Sequence, residues 1–258
     1  MRRLAGKPRG LAWYAVAVYA FLHLPLLILA VFSFNASRFT VWQGFSWHWY
    51  GALLQDRELM ESAGNSMMIA VCSTVLATVA GTATAYGLWK RGSAWISGSL
   101  YLSLVTPEIV TGVSLLAFFQ WVFRYLNLRL GMHTVILAHV GFSLAYVVVV
   151  VLARLRTFDP ALEEAAMDLG ATEFGAFWKV TVPFLMPAIA AAAMLAFTVS
   201  IDDYVITSLV AGVDSQTLPM TIYALARRGV NPMLNAVSTI IVMVLGVMVL
   251  VSERLRSS

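Results

Sequence analysis

Asp159-Pro160-Ala161-Leu162-Glu163-Glu164-Ala165-Ala166-Met167-Asp168-Leu169-Gly170 is a polar interval between two apolar runs, and it extends through Glu173 and Pro183 to Pro187. Acids at Asp159, Glu163, Glu164, Asp168 and Glu173 would be costly in hydrocarbon, which places the interval outside a bilayer. Asp159 suits an N-cap and Pro160 the first helical position. Leu162, Ala165, Ala166 and Leu169 recur at helical spacing, with Glu163, Glu164 and Asp168 on the other side. Gly170 supplies a helix stop, and Thr172 caps a second short helix whose Phe174, Phe177 and Trp178 share a face. Pro183 closes that helix. The spacing predicts two short amphipathic helices meeting at a glycine, a loop of about residues 154–187 built to dock another protein.

Around this loop the chain reads as membrane. Of its 258 residues 60% are hydrophobic and 12% charged, about half the charge of a soluble domain. The mean hydropathy is +0.81. Apolar runs at about 11–34, 64–88, 96–123, 132–153, 188–210 and 234–251 are long enough for helices, whereas a barrel would show short alternating strands. The expected fold is therefore an all-α membrane protein with six transmembrane helices in one domain, residues 1–258. The first run follows Arg2, Arg3, Lys7 and Arg9 and reads as an uncleaved span kinked at Pro25. Eleven of the 17 Lys and Arg fall on segments that are inside if the N-terminus is inside, and six on the other side. That bias puts both termini and the docking loop in the cytoplasm. The net charge of +4 thus concerns topology and does not suggest nucleic acid.

Smaller features fit this frame. Trp42, Trp47, Trp49 and Tyr50 favour the headgroup layer or could stack a ligand. Ala77, Gly81 and Ala85 form a ridge that lets a neighbouring helix approach. The lone Cys72 and His23, His133 and His139 read as packing or hydrogen-bonding residues, and residues 221–228 as a short amphipathic piece. The polar residues of most interest are acids within spans: Glu108, Asp202 and Asp203. Each costs roughly 2.5–3.5 kcal/mol at mid-helix, so it faces a cavity or a partner. No basic residue within the spans answers them, which suggests a lining that attracts cations; protonation, or hydrogen bonding to Ser and Thr of neighbouring helices, is the structural alternative. Adjacent Asp202 and Asp203 point about 100° apart on a helix and share a target only where the helix unwinds. No G-x-x-x-x-G-K-[ST] phosphate loop and no zinc-ligand spacing occurs, so no cofactor is expected in this chain and energy must come from a partner.

The string EAAMDLGATEFGAFWKVTVP resembles the EAA motif of ABC-importer permeases: Glu164-Ala165-Ala166, three residues, Gly170, nine residues, then Val180, Val182 and Pro183. Val180 and Val182 stand where that family usually has Ile and Leu. SIDDYVITSLVAG, followed by TLP and GVNP, is similar to the fifth span and outer loop of spermidine/putrescine-type importers; TPEIVTGVSLL resembles their third span, and Asn65-Ser66 a common opening of the domain. The resemblance implies a type I ABC-importer permease fold in an inner membrane. It implies that Glu163, Glu164, Ala165, Ala166, Gly170 and Pro183 couple to an ATPase, and that Glu108, Asp202 and Asp203 line the pathway. The implied partners are a second, related permease, two ATP-binding subunits carrying ATP and Mg²⁺, a periplasmic or extracellular substrate-binding protein, a polyamine substrate and membrane lipid. The alternatives are an importer for another organic cation or an iron complex, or a stand-alone secondary cation transporter. No catalytic pair supports an intramembrane enzyme.

Overall fold

The computed structural model describes residues 9–39, 41–229 and 232–257, so Arg2, Arg3 and Lys7 lie outside the described residues. Among the described residues the only extended pairing is one bridge, Asn35 to Phe45, and all other regular structure is helical. Backbone contacts divide the chain into two compact units, Met1–Met60 with Ile222–Ser258, and Glu61–Thr221.

The first unit contains α1 (Arg9–Phe32), α2 (His48–Gln55) and α12 (Pro232–Ser257). Helix α1 runs through Pro25, and His23 Nδ1 bonds the Tyr19 carbonyl at 2.8 Å. The aromatic segment after α1 forms a real cluster: the Phe34 ring lies 4.8 Å from Trp47 and 5.1 Å from Tyr50 and Phe45. Trp49 instead turns inward, and its indole N–H donates to the Asn35 carbonyl at 2.7 Å.

The second unit begins within α3 (Arg57–Arg91), whose 35 residues start well before the expected Gly64. Asp56 explains the early start, because its Oδ1 accepts from the Leu59 N–H and caps the turn. The ridge on α3 packs as expected: Ala77 and Ala85 are fully buried, and a Cβ on Gly81 would lie 2.6 Å from Val147 Cγ1. That valine belongs to α6 (Met132–Leu155). Asn65 and Ser66 reach Gln216 and Leu218: Asn65 Nδ2 donates to the Gln216 carbonyl at 3.0 Å, and Ser66 Oγ accepts the Leu218 N–H at 2.8 Å. Helix α11 (Leu218–Arg227) starts at that capped N–H.

Two expected spans differ from their sequence reading. The third is two helices, α4 (Ala94–Val105) and α5 (Glu108–Leu126), broken at Thr106-Pro107. The residue before a proline is driven to extended backbone, so Thr106 at ψ 129° ends α4 and Pro107 cannot donate. The fifth begins far before Ala188. A short α8 (Glu173–Ala176) runs into a π turn, Phe177–Thr181, and then α9 (Val182–Asp202), so Pro183 closes nothing. It sits in the first turn of α9, where a missing N–H is tolerated. Helix α9 stops at Asp202, and α10 (Val205–Val210) follows. Five helical stretches among the described residues are long and apolar enough to cross a membrane; α12 is helical for 26 residues, with a shorter apolar part at Pro232–Val244.

Candidate functional site

Glu108, Asp202 and Asp203 come together. The α4–α5 break and the α9–α10 break border one cavity of about 510 Å³, lined also by Phe142 and Tyr146 of α6 and by Tyr204. Glu108 is therefore at an exposed helix N-terminus and not mid-helix, where an acid is favoured by the helix dipole. Asp202 is exposed at the end of α9, while the Asp203 side chain is only 6% exposed. The chain unwinds between them, with Asp203 extended at ψ 124°.

Asp203 has a full set of partners. Its Oδ2 accepts from the Thr207 N–H and hydroxyl, each at 2.7 Å, and its Oδ1 from the Ile206 N–H at 3.4 Å, which caps α10. Buried His139 of α6 lies beside it, Nε2 at 3.5 Å from Oδ2 and 2.9 Å from Thr207 Oγ1. Because the Thr207 hydroxyl proton goes to the carboxyl, Thr207 Oγ1 accepts from Nε2, which leaves Nδ1 to bond Ser200 Oγ at 2.7 Å. Ser200 Oγ is in turn 2.9 Å from Ser73 Oγ of α3. Sequence reasoning gave His139 a hydrogen-bonding role but not this chain of contacts. Phe142, Tyr146 and Tyr204 were missed altogether, since an aromatic residue in an apolar run carries no signal for the face it takes.

The docking loop contains α7 (Ala161–Asp168), a left-handed Gly170 at φ +92°, and Thr172, whose hydroxyl accepts the Gly175 N–H. Asp159 Oδ1 accepts the Ala161 N–H, so it caps α7 from one residue further out than expected. The acids, however, divide: Glu164 and Asp168 are exposed as expected, and Glu163 is not. Leu162 is 50% and Leu169 90% exposed, as are Ala165 and Glu164, while Glu163 is buried at 2%. Glu163 points back into the bundle. Lys90 Nζ lies 2.7 Å from its Oε2, Tyr86 Oη donates to its Oε1 at 3.1 Å, and the Thr181 hydroxyl also donates to Oε1. Burial opposes its ionisation, but hydrogen bonds from Lys90, Thr181 and Tyr86 outweigh this and hold the carboxyl below its usual range. The second helix keeps Phe174 and Trp178 exposed.

Residues 73–256 match the family described as the binding-protein-dependent transport system inner membrane component. The chain is 41% identical over 244 residues to the spermidine/putrescine transport system permease protein PotC of Escherichia coli K12, covering 93% of this chain and 91% of that one. It is 44% identical over 236 residues to the putrescine transport system permease protein PotI of the same strain, covering 89% and 84%. A crystal structure of a bacterial ABC transporter involved in the import of alginate superposes with a TM-score of 0.77 at 16% identity, over 94% of both chains. The architecture is the type I ABC-importer permease fold. With relatives of this identity along nearly its whole length, the chain belongs to the family of binding-protein-dependent transport system inner membrane components.

Proposed function

We propose that this chain is the permease subunit through which polyamines enter the cytoplasm, driven by separate ATPase subunits. The observation that carries the reading is the cavity between two helix breaks. Glu108 and Asp202 are exposed there without an ion pair among the described residues, beside Tyr146 and Tyr204. Carboxyls and aromatic faces together suit a flexible chain of ammonium groups and methylenes. The names of PotC and PotI supply the same substrate class. An inside-negative potential favours each entering charge by about 2.3 kcal/mol per 100 mV, so ATP would serve gating and accumulation beyond that gradient.

The rest of the assembly follows from the family and the loop. The exposed Leu162, Ala165 and Leu169, with Glu164 and Gly170, present an apolar face to an ATP-binding subunit, which carries ATP and Mg²⁺. A related second permease and an external binding protein complete the importer. Contact between Lys90 and Glu163 gathers Lys90 with the docking loop at one end of the second unit, which supports a cytoplasmic loop. Uptake of labelled putrescine and spermidine by vesicles holding the whole transporter tests the reading. Saturable, ATP-dependent uptake of either supports it. Uptake only of another organic cation or of an iron complex overturns the substrate, and transport by this chain alone in liposomes overturns the class.

A further inference from the structure

We infer that Glu163 is a positioning residue for energy coupling: it clamps α7 to the cytoplasmic end of α3 and to the root of α9, so that the three move as one body. The inference rests on the reading that α7 receives the ATPase, but it takes Glu163 out of the contact surface and gives it a separate task.

The geometry is specific. Neighbouring acids on α7 take opposite directions, Glu164 outward and Glu163 inward. Both Glu163 oxygens are used, Oε1 by Thr181 and Tyr86, Oε2 by Lys90 and Tyr86. These donors come from two elements distant in sequence, α3 and the π turn, so the carboxyl is the node where three elements meet. Aromatic rings wall the node: Tyr86 lies 4.6 Å from Phe177, and Phe158 lies 5.7 Å from Trp89 and 5.0 Å from Phe184. Lys90 Nζ also sits 5.6 Å from the Tyr86 ring centre. A buried carboxyl satisfied by several donors fixes its partners in one arrangement, whereas a partly satisfied one would be costly. A π turn at this point is the irregular helical geometry that recurs at functional sites. From it α9 continues for 21 residues, about 31 Å at 1.5 Å per residue, to Asp202 at the cavity. A stroke on α7 thus passes through Glu163 to Thr181 at the root of α9, and α9 carries it to the pathway break.

The test uses the complete transporter in membrane vesicles and measures substrate taken up per ATP hydrolysed under binding-protein stimulation. Glu163→Gln keeps the shape and removes the charge. We expect its ATPase subunits to stay bound through purification while uptake per ATP falls about fivefold or more. Tyr86→Phe, which removes one hydrogen bond, should lower the ratio less, and Lys90→Arg should restore most of what Lys90→Met loses. A purely structural defect would reduce the amount of transporter and leave the ratio intact. If Glu163→Gln does not accumulate, Tyr86→Phe decides by the same ratio. The clamp is overturned if the ratio stays native, or if Glu163→Gln sheds its ATPase as a contact residue would. Leu169→Glu is the separate check on docking: if it retains its ATPase, the docking reading fails and not the clamp.

Discussion

Two pairs of adjacent acids, Glu163-Glu164 on the docking loop and Asp202-Asp203 at the cavity, follow the same plan. In each, one carboxyl is turned into the bundle and bonded, and its neighbour is exposed. The partners of the buried members differ. Glu163 meets a lysine ammonium and two hydroxyls, whereas Asp203 meets backbone N–H groups, one hydroxyl and an imidazole. The ammonium stands at the end of a span, where its stem can reach past water. At the cavity the chain satisfies Asp203 with dipoles, which avoids burying a second permanent charge beside it. The exposed members differ as well: Glu164 lies on the face proposed to meet the ATPase, and Asp202 lines the 510 Å³ cavity proposed for the substrate.

The largest effect should come from the exposed acid of the docking loop. Glu164→Lys inverts the charge at the proposed contact, and we expect uptake to vanish while the chain still reaches the membrane, as read by vesicle uptake against a membrane blot. Normal uptake would remove Glu164 from the coupling contact and leave Asp202 as the one exposed acid with a task. Next comes the buried member at the cavity. Asp203→Ala removes the α10 cap and strands His139 and Thr207, at a cost of roughly 2–4 kcal/mol, so abundance and assembly should fall more than transport per molecule. Asp202→Asn and Glu108→Gln should behave in the opposite way. Abundance should hold while the substrate concentration for half-maximal uptake rises about 5–30-fold, the equivalent of 1–2 kcal/mol. If Asp202→Asn lowers abundance and Asp203→Ala shifts affinity, the two roles are exchanged.

The smallest effect is a pH response that should be nearly flat. Among the described residues, the titratable groups that bond Glu163 are Lys90 and Tyr86 of α3. A carboxyl held below its ordinary value contributes fully above about pH 4.3 and loses its contribution as pH falls through the lowered value. Uptake per ATP should therefore show no Glu163-dependent change between about pH 5.5 and 8. A step in that window that disappears in Glu163→Gln would mean the carboxyl is not held in its charged form.

Much of this was legible in the sequence. The apolar runs gave the spans, Gly170 gave the turn, and Thr172 gave the cap, because each depends on local backbone chemistry. The angle between neighbours said that Asp202 and Asp203 diverge unless the helix unwinds; the helix does end there, and the two carboxyls still take different surroundings. The breaks were harder. Pro107 reads equally as a kink or an end, and Pro183 reads as a stop although the first turn of a helix accepts it. On α7 Glu163 alone departs from the amphipathic reading, for a physical reason: that reading assumes that polar residues look toward water, but Lys90, Tyr86 and Thr181 of the same chain take this carboxyl. Lys90 and Arg91 carried only a topological signal, and nothing local connects Lys90 to Glu163.

The clamp also bears on how the protein is made. Tyr86 and Glu163 are 77 residues apart, and Thr181 follows Glu163 by another 18. At about 5–20 residues per second, roughly 4–15 s of synthesis separate the two ends of the first hydrogen bond. Throughout that interval Lys90 waits at the membrane surface without its carboxyl, and the node closes only when the residues that root the fifth span have left the ribosome. A nascent chain arrested before Thr181 keeps an acid that cannot be fully satisfied. Completion of the node therefore coincides with delivery of the root of α9, the helix that ends at the cavity.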